Sequence, residues 1–386
     1  MEFFSFLWQG FGEISWQHLV MYLIGAALIY VAIKKEYEPA LLLPMGFGAI
    51  LVNLPLTSAV TQTLSNGEEV TGIIEWLFNV GINASEALPV LLFIGIGAMI
   101  DFGPLLSKPI LFLFGAAAQL GIFIALIASL LIYPEWGLNE AASVGIIGAA
   151  DGPTAILVSH QLLEHGSPLI GAIAVAAYSY MALVPIVQPM AIKLITTKKE
   201  RAITMKYEAS SVSKTTRILF PILTTIIVGF IAPSSVSLVG FLMFGNLIRE
   251  CGVLQTMSET AQNALTNLIT LLLGITISFS MRAEEFVTIE TLIVMVIGLA
   301  AFVFDTFGGI LLAKFMNLFA KEKMNPMIGA AGISAFPMAS RVAQKMAQEE
   351  NPGTIIIMHA AGANVAGQIA SAIAGGLIIQ LVRSIG

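Results

Sequence analysis

Apolar runs, cut by short polar breaks, fill almost the whole chain. They read as candidate spans near residues 17–33, 40–55, 73–100, 109–133 and 168–195, then near 216–232, 236–250, 262–280, 289–316 and 353–382. A helix needs about 20 mostly apolar residues to cross a bilayer. Two further stretches, 140–162 and 325–348, are apolar but interrupted by Gly and Pro. The pattern predicts an all-α polytopic membrane protein of two repeats, each with about five transmembrane helices and one re-entrant broken hairpin. The expected divisions are an interfacial N-terminal segment (1–16), a first repeat (17–197), a cytoplasmic linker (198–215) and a second repeat (216–386). Residues 1–16 hold a Phe/Trp-rich run too short to span, without the basic start or cleavage site of a signal peptide. The halves echo each other: Gly148-Ala149-Ala150 resembles Gly329-Ala330-Ala331, with Pro153 and Pro337 following.

Charge orients these spans. Lys34, Lys35, Lys108, the basic stretch from Lys198 to Arg217, and Lys314, Lys321 and Lys323 fall on one set of connections. The alternate connections, 65–69, 134–140 and 232–235, carry no Lys or Arg. The positive-inside rule places the first set in the cytoplasm. Arg282 is the exception, beside Glu284 and Glu285. With an odd number of crossings per half, the repeats are expected to be inverted. Their hairpins would then enter from opposite sides and meet near the midplane.

Composition agrees. The chain is 57% hydrophobic and 11% charged, with mean hydropathy +0.89, against about 25% charged residues in soluble proteins. A net charge of −6 and the lack of a dense basic tract argue against nucleic acid. Cys251 alone forms no internal disulfide, and four His without H-x-x-x-H spacing point to no transition-metal site. No phosphate-binding Gly loop precedes a Lys, so direct ATP use is not expected.

Few polar side chains remain inside the apolar segments. Asp151, in Gly148-Ala149-Ala150-Asp151-Gly152-Pro153-Thr154, is the sharpest, because an intramembrane acid marks an ion or proton pathway by default. The Gly-Pro beside it frees backbone carbonyls, and carbonyls plus one carboxylate suit Na⁺ or a proton. Its bland reading is a structural acid capping a half-helix. Tyr178 and Tyr180 share one span and have equal claims; either is otherwise a packing residue. Asn325 and Ser334 offer oxygen ligands, and Arg341 either pairs with an anion or snorkels to the interface. Asn364, on a small-residue helix, reads equally well as a helix–helix hydrogen bond. Asp101 fits a helix cap, and Asp305 is a second-rank intramembrane acid.

Asp151-Gly152-Pro153-Thr154-Ala155-Ile156, Ala176 to Pro185, Asn325-Pro326-x-Ile328-Gly329 and Asn364-Val365-Ala366-Gly367 together resemble the beta subunit of the bacterial sodium-pumping, biotin-dependent decarboxylases. That family acts on oxaloacetate, methylmalonyl-CoA or glutaconyl-CoA, and the resemblance runs from Glu38-Pro39 to the C-terminus. The short connection near 55–85 looks more like the CoA-ester branch. The resemblance implies a multi-pass subunit of the bacterial inner membrane that decarboxylates carboxybiotin, exports Na⁺ and consumes a proton. It implies carboxybiotin carried on a separate subunit, with a biotin-carrier protein, a carboxyltransferase (alpha) subunit and a small membrane subunit as partners, and a homo-oligomer within the complex. By the same resemblance Asp151, Tyr180, Ser334 and Asn364 would meet Na⁺. Asp151, Tyr180, Ser334 and Arg341 would act in catalysis, and Asn325, Gly329, Arg341 and Asn364 would lie around carboxybiotin. The alternative is a secondary Na⁺-coupled carrier of organic anions.

Overall fold

The computed structural model describes residues 10–63, 67–84, 86–164, 167–205 and 212–385. Most of the N-terminal segment (1–9) and part of the linker (206–211) lie outside these. Helix α1 (Trp16–Lys35) starts at a capping box on Ser15 and ends on Lys34 and Lys35, whose charge suits a helix C-terminus. Helix α2 (Pro39–Val52) folds back on it through glycines: a Cβ on Gly46 would lie 2.7 Å from the Gly25 carbonyl. A two-residue-strand hairpin, Gln62–Thr63 against Glu69–Val70, occupies the connection. Then come α3 (Ile73–Asn83) and α4 (Ala87–Met99), bent 66° from each other, and α5 (Pro109–Ile132).

The first broken segment is α6 (Leu138–Gly145) and α7 (Gly152–Leu162), followed by the long α8 (Pro168–Ile195). The second half holds α9 (Lys214–Ile231), α10 (Val236–Glu250), α11 (Gln255–Met281) and α12 (Ile289–Phe319). Its broken segment is the single turn α13 (Met327–Ala330) and α14 (Met338–Glu350), before α15 (Ile357–Ile385).

Seven helices among the described residues are long and apolar enough to cross a membrane, eight if α3 and α4 form one bent span. This is an all-α polytopic membrane fold. Two expected spans are shorter than a full crossing: α2 has 14 residues and α10 has 15. At about 1.5 Å per residue they reach about 22 Å, against an apolar core of about 30 Å. Apolar composition revealed their character but not their reach.

Burial separates periphery from centre. The most apolar windows of α8 and α15 are 72% buried, while those of α1 and α9 are 17% and 11% buried. Both broken segments pack against α8 and α15, which therefore set the position of the site. Packing is reciprocal between the halves: α2 lies on α11 and α10 on α4, while α8 lies on α12 and α15 on α5. A π-helical turn recurs in α3 (Asn79–Asn83) and α11 (Ala261–Leu265).

Charged pairs join the helix ends. Arg217 meets Asp101 at 3.3 Å and Glu250 at 3.6 Å, and Asp101 also accepts from the Gly103 amide. Arg201 donates to Glu350 at 2.9 Å and to the Thr196 carbonyl at 2.7 Å, and its guanidinium holds the Glu350 carboxyl below the usual range. Arg282 pairs with Glu285 and stacks 4.4 Å from the Phe279 ring.

Candidate functional site

The tip of the first broken segment is built to present one acid. Helix α6 tightens into a 3-10 turn (Ile146–Ala149), and Ala150 then takes a left-handed conformation at φ 52°. That conformation costs a non-glycine residue about 1–2 kcal/mol, and it turns the chain so that Asp151 becomes the N-cap of α7. Pro153 in the first turn suits a helix start.

Asp151 is 3% exposed. Its Oδ2 accepts from Thr154 Oγ1 and from Ser371 Oγ on α15, each at 2.7 Å. Its Oδ1 has only a 3.5 Å contact from the Thr154 amide, leaving most of that oxygen's capacity open.

Around this carboxylate, buried oxygens lack partners. Asn364, Gln368 and Ser371 are four and three residues apart on α15, a spacing that puts them on one helix face. Asn364 Nδ2 donates to the Ile333 carbonyl at 2.7 Å, while its Oδ1 and Gln368 Oε1 have no hydrogen-bond partner. The Tyr178 ring lies over Gly152, where an added Cβ would come within 2.3 Å of it. Its fully buried hydroxyl also has no hydrogen-bond partner. A buried unsatisfied polar group costs about 1–3 kcal/mol. A cluster of carboxylate, amide and hydroxyl oxygens suits a hard cation.

The second broken segment touches the first at this point. Ser334 donates to the Ala149 carbonyl twice, from its amide at 3.3 Å and from Oγ at 2.6 Å. Gln188 of α8 donates to the Ala330 carbonyl at 2.9 Å. The structure therefore gathers Asp151, Ser334 and Asn364 at one junction.

Three expected site residues have their polar groups or backbone engaged elsewhere in the structure. Tyr180 donates its hydroxyl to the Met295 carbonyl on α12 and packs at Gly298. Residues two apart on a helix point to opposite sides, so Tyr178, not Tyr180, lies over the Asp151 turn. Asn325 has its amide filled by the Arg201 and Ile203 carbonyls, at 2.7 and 3.0 Å, and by the Met327 amide at 3.1 Å. It tethers the linker to the second broken segment instead of presenting a ligand group. Gly329 meets Gly309 of α12 backbone to backbone, a packing contact that a Cβ on either residue would break.

Arg341 is exposed on the first turn of α14, with Glu38 as its electrostatic neighbour. Asp305 is fully buried; its Oδ1 accepts from the Gly121 amide, capping the part of α5 that restarts at Leu120, and its Oδ2 has no hydrogen-bond partner. Thr154, Gln368 and Ser371, which the sequence does not single out, also lie at this junction. The spacing from Asn364 to Ser371 was the available signal, hidden because small polar residues are common on membrane helices.

A buried carboxylate where two broken segments meet, inside a bundle of apolar spans, defines a polytopic membrane protein of the ion-translocating kind. Comparison with known proteins makes this specific. Residues 17–382 match the family model of the Na⁺-transporting oxaloacetate decarboxylase beta subunit. The chain is 45% identical to the methylmalonyl-CoA decarboxylase subunit beta of Propionigenium modestum, over 96% of each protein. It is 45% identical to the glutaconyl-CoA decarboxylase subunit beta of Acidaminococcus fermentans, over 97% of this chain and 96% of that one. With the probable oxaloacetate decarboxylase beta chain of Vibrio cholerae it shares 40% identity over 97% of each. The chain belongs to the beta-subunit family of the Na⁺-transporting decarboxylases and is a multi-pass bacterial membrane protein.

Proposed function

We propose that this subunit releases CO₂ from carboxybiotin brought to its cytoplasmic face, and couples that release to Na⁺ export with consumption of a proton. The observation that carries this reading is Asp151: a buried carboxylate with one open oxygen, at the contact between the two broken segments. Ser371 and Thr154 hold Oδ2 and so aim Oδ1. Oδ1, Tyr178 Oη, Gln368 Oε1 and Asn364 Oδ1 are the oxygens proposed to take Na⁺. Loss of CO₂ from carboxybiotin breaks a C–N bond and leaves an electron pair on the ring nitrogen that requires a proton. Na⁺ and H⁺ compete for the Asp151 carboxylate, so a proton arriving there displaces the ion. Arg341, exposed on α14, is placed to hold the carboxylate of the incoming group.

Moving one Na⁺ outward against 100 mV costs about 2.3 kcal/mol, which the decarboxylation must cover. The reciprocal packing and the matched π turns support inverted repeats, with α6–α7 entering from outside and α13–α14 from the cytoplasm. In this scheme a carboxyltransferase subunit recognises the substrate acid, a biotin-carrier protein delivers the carboxyl group, and a small membrane subunit and further copies of this chain complete the complex.

Carboxybiotin added to the purified complex should lose CO₂ faster with Na⁺ than with K⁺; equal rates in the two salts rule the scheme out. The hydroxyl assignment has its own check. Tyr178→Phe is expected to raise the half-saturating Na⁺ concentration about fivefold, the weight of one neutral ligand near 1 kcal/mol. Tyr180→Phe should leave it within about twofold, because its lost bond is to a helix carbonyl. The reverse order would return the role to Tyr180.

A further inference from the structure

A second polar cavity, of about 420 Å³, lies away from the Asp151 junction, lined by Asn83, Glu86, His160, Gln161, Ser234 and Ser237 among others. Glu86 is the unusual member. It sits at the α3–α4 bend in a left-handed conformation, φ 54°, which a side chain rarely adopts without cause. It occupies the N-cap position of α4, yet its side chain caps nothing. It is only 8% exposed. Its neighbour Gln161 hydrogen-bonds it and also accepts from Arg383 Nη2 at 2.6 Å, which fixes the amide's orientation.

The surroundings favour a cation. The C-terminal ends of α3 and α7, at Asn83 and Gln161, bring partial negative charge to this cavity, set against the N-terminus of α4 at Glu86 and the Arg383 guanidinium on Gln161; the Glu86 carboxylate tips the balance toward a cation. Carboxylate, amide and hydroxyl oxygens are the donors, which suits a hard ion. No group of three or more His, Cys, Asp or Glu able to hold a metal occurs among the described residues, which argues for a monovalent ion over a divalent one. The same helix α7 begins at Asp151 and ends here, with His160 on its last turn. At about 1.5 Å per residue, the cavity lies roughly 15 Å along the helix from the central carboxylate.

We propose that this cavity is a second Na⁺ site, at the outer mouth of the pathway, in which Glu86 receives the ion released from Asp151 before it reaches bulk solvent. The inference rests on the Na⁺-export reading and its topology. A site of this kind is loaded from outside at high external Na⁺ and then opposes release.

The test uses the whole complex in proteoliposomes, with carboxybiotin-dependent turnover read against Na⁺ on each side separately. External Na⁺ should inhibit the wild type, and Glu86→Gln should raise the half-inhibiting concentration about tenfold, as loss of one charged ligand predicts. The half-saturating Na⁺ on the cytoplasmic side should not change. A wild type that external Na⁺ does not inhibit, or a Glu86→Gln profile that superimposes on it, overturns the proposal. Turnover indifferent to Na⁺ on both sides would instead sink the export reading itself.

Should Glu86→Gln fail to fold, Ser237→Cys in a Cys251→Ser background reports on the intact carboxylate. An impermeant thiol reagent added outside should label it, and Na⁺ should slow labelling about threefold relative to K⁺ by occupying the cavity. No labelling, or equal rates in the two salts, overturns the site.

Discussion

Asp151→Asn is expected to abolish Na⁺-stimulated CO₂ release while the complex still assembles and keeps its thermal midpoint. Asn is as good an N-cap as Asp, so α7 still starts at the same residue, and the Thr154 and Ser371 hydroxyls keep an oxygen to donate to. The charge is lost. Removing the charged partner of a buried ion is worth about 3–5 kcal/mol, so apparent Na⁺ affinity should fall by at least about 100-fold. The measurement is turnover against Na⁺ concentration beside a thermal melt in detergent. Normal Na⁺ activation in this variant excludes the carboxylate as the ion's anchor. A collapsed melt would mean that the charge itself holds this junction together.

Gly309→Ala should do the opposite. A Cβ there would sit 1.9 Å from the Gly329 carbonyl, and the nearest atoms are backbone, so no side chain can swing away. Overpacking in a close-packed interior costs about 1–3 kcal/mol, and a contact this tight belongs at the upper end. The thermal midpoint should drop and turnover should fall with it at every Na⁺ concentration, although every proposed ion ligand is intact. A shifted Na⁺ requirement with an unchanged melt would mean that this contact serves ion binding directly. Gly309 joins α12 to the second broken segment, so the two variants separate a lost ligand from a displaced frame.

Much of this was legible in the chain. Asp151 beside Gly152-Pro153 stands out because an acid and a helix break are both costly in apolar surroundings, and their coincidence falls where the two broken segments touch. Asn364 could be placed on a buried helix, but its role depended on whether its carbonyl oxygen found a partner, which no spacing reveals. Tyr178 and Tyr180 could not be separated: neighbours two apart face opposite ways, and only packing decides which side looks inward. Asn325 read as a ligand because its side chain is a good oxygen donor. Its true partners, the Arg201 and Ile203 carbonyls, lie more than a hundred residues away in sequence. Ser371 and Thr154 were overlooked for a related reason, since a hydroxyl in an apolar helix usually bonds its own preceding turn.

The pair of hydrogen bonds from Ser334 to the Ala149 oxygen has a mechanical corollary. That oxygen adjoins the Asp151 turn, and its two lone pairs are both engaged. An ion that recruited it would have to evict Ser334, thereby unfastening the second broken segment from the first. Loading and unlatching would then be a single event, and an empty site would keep the two segments fastened.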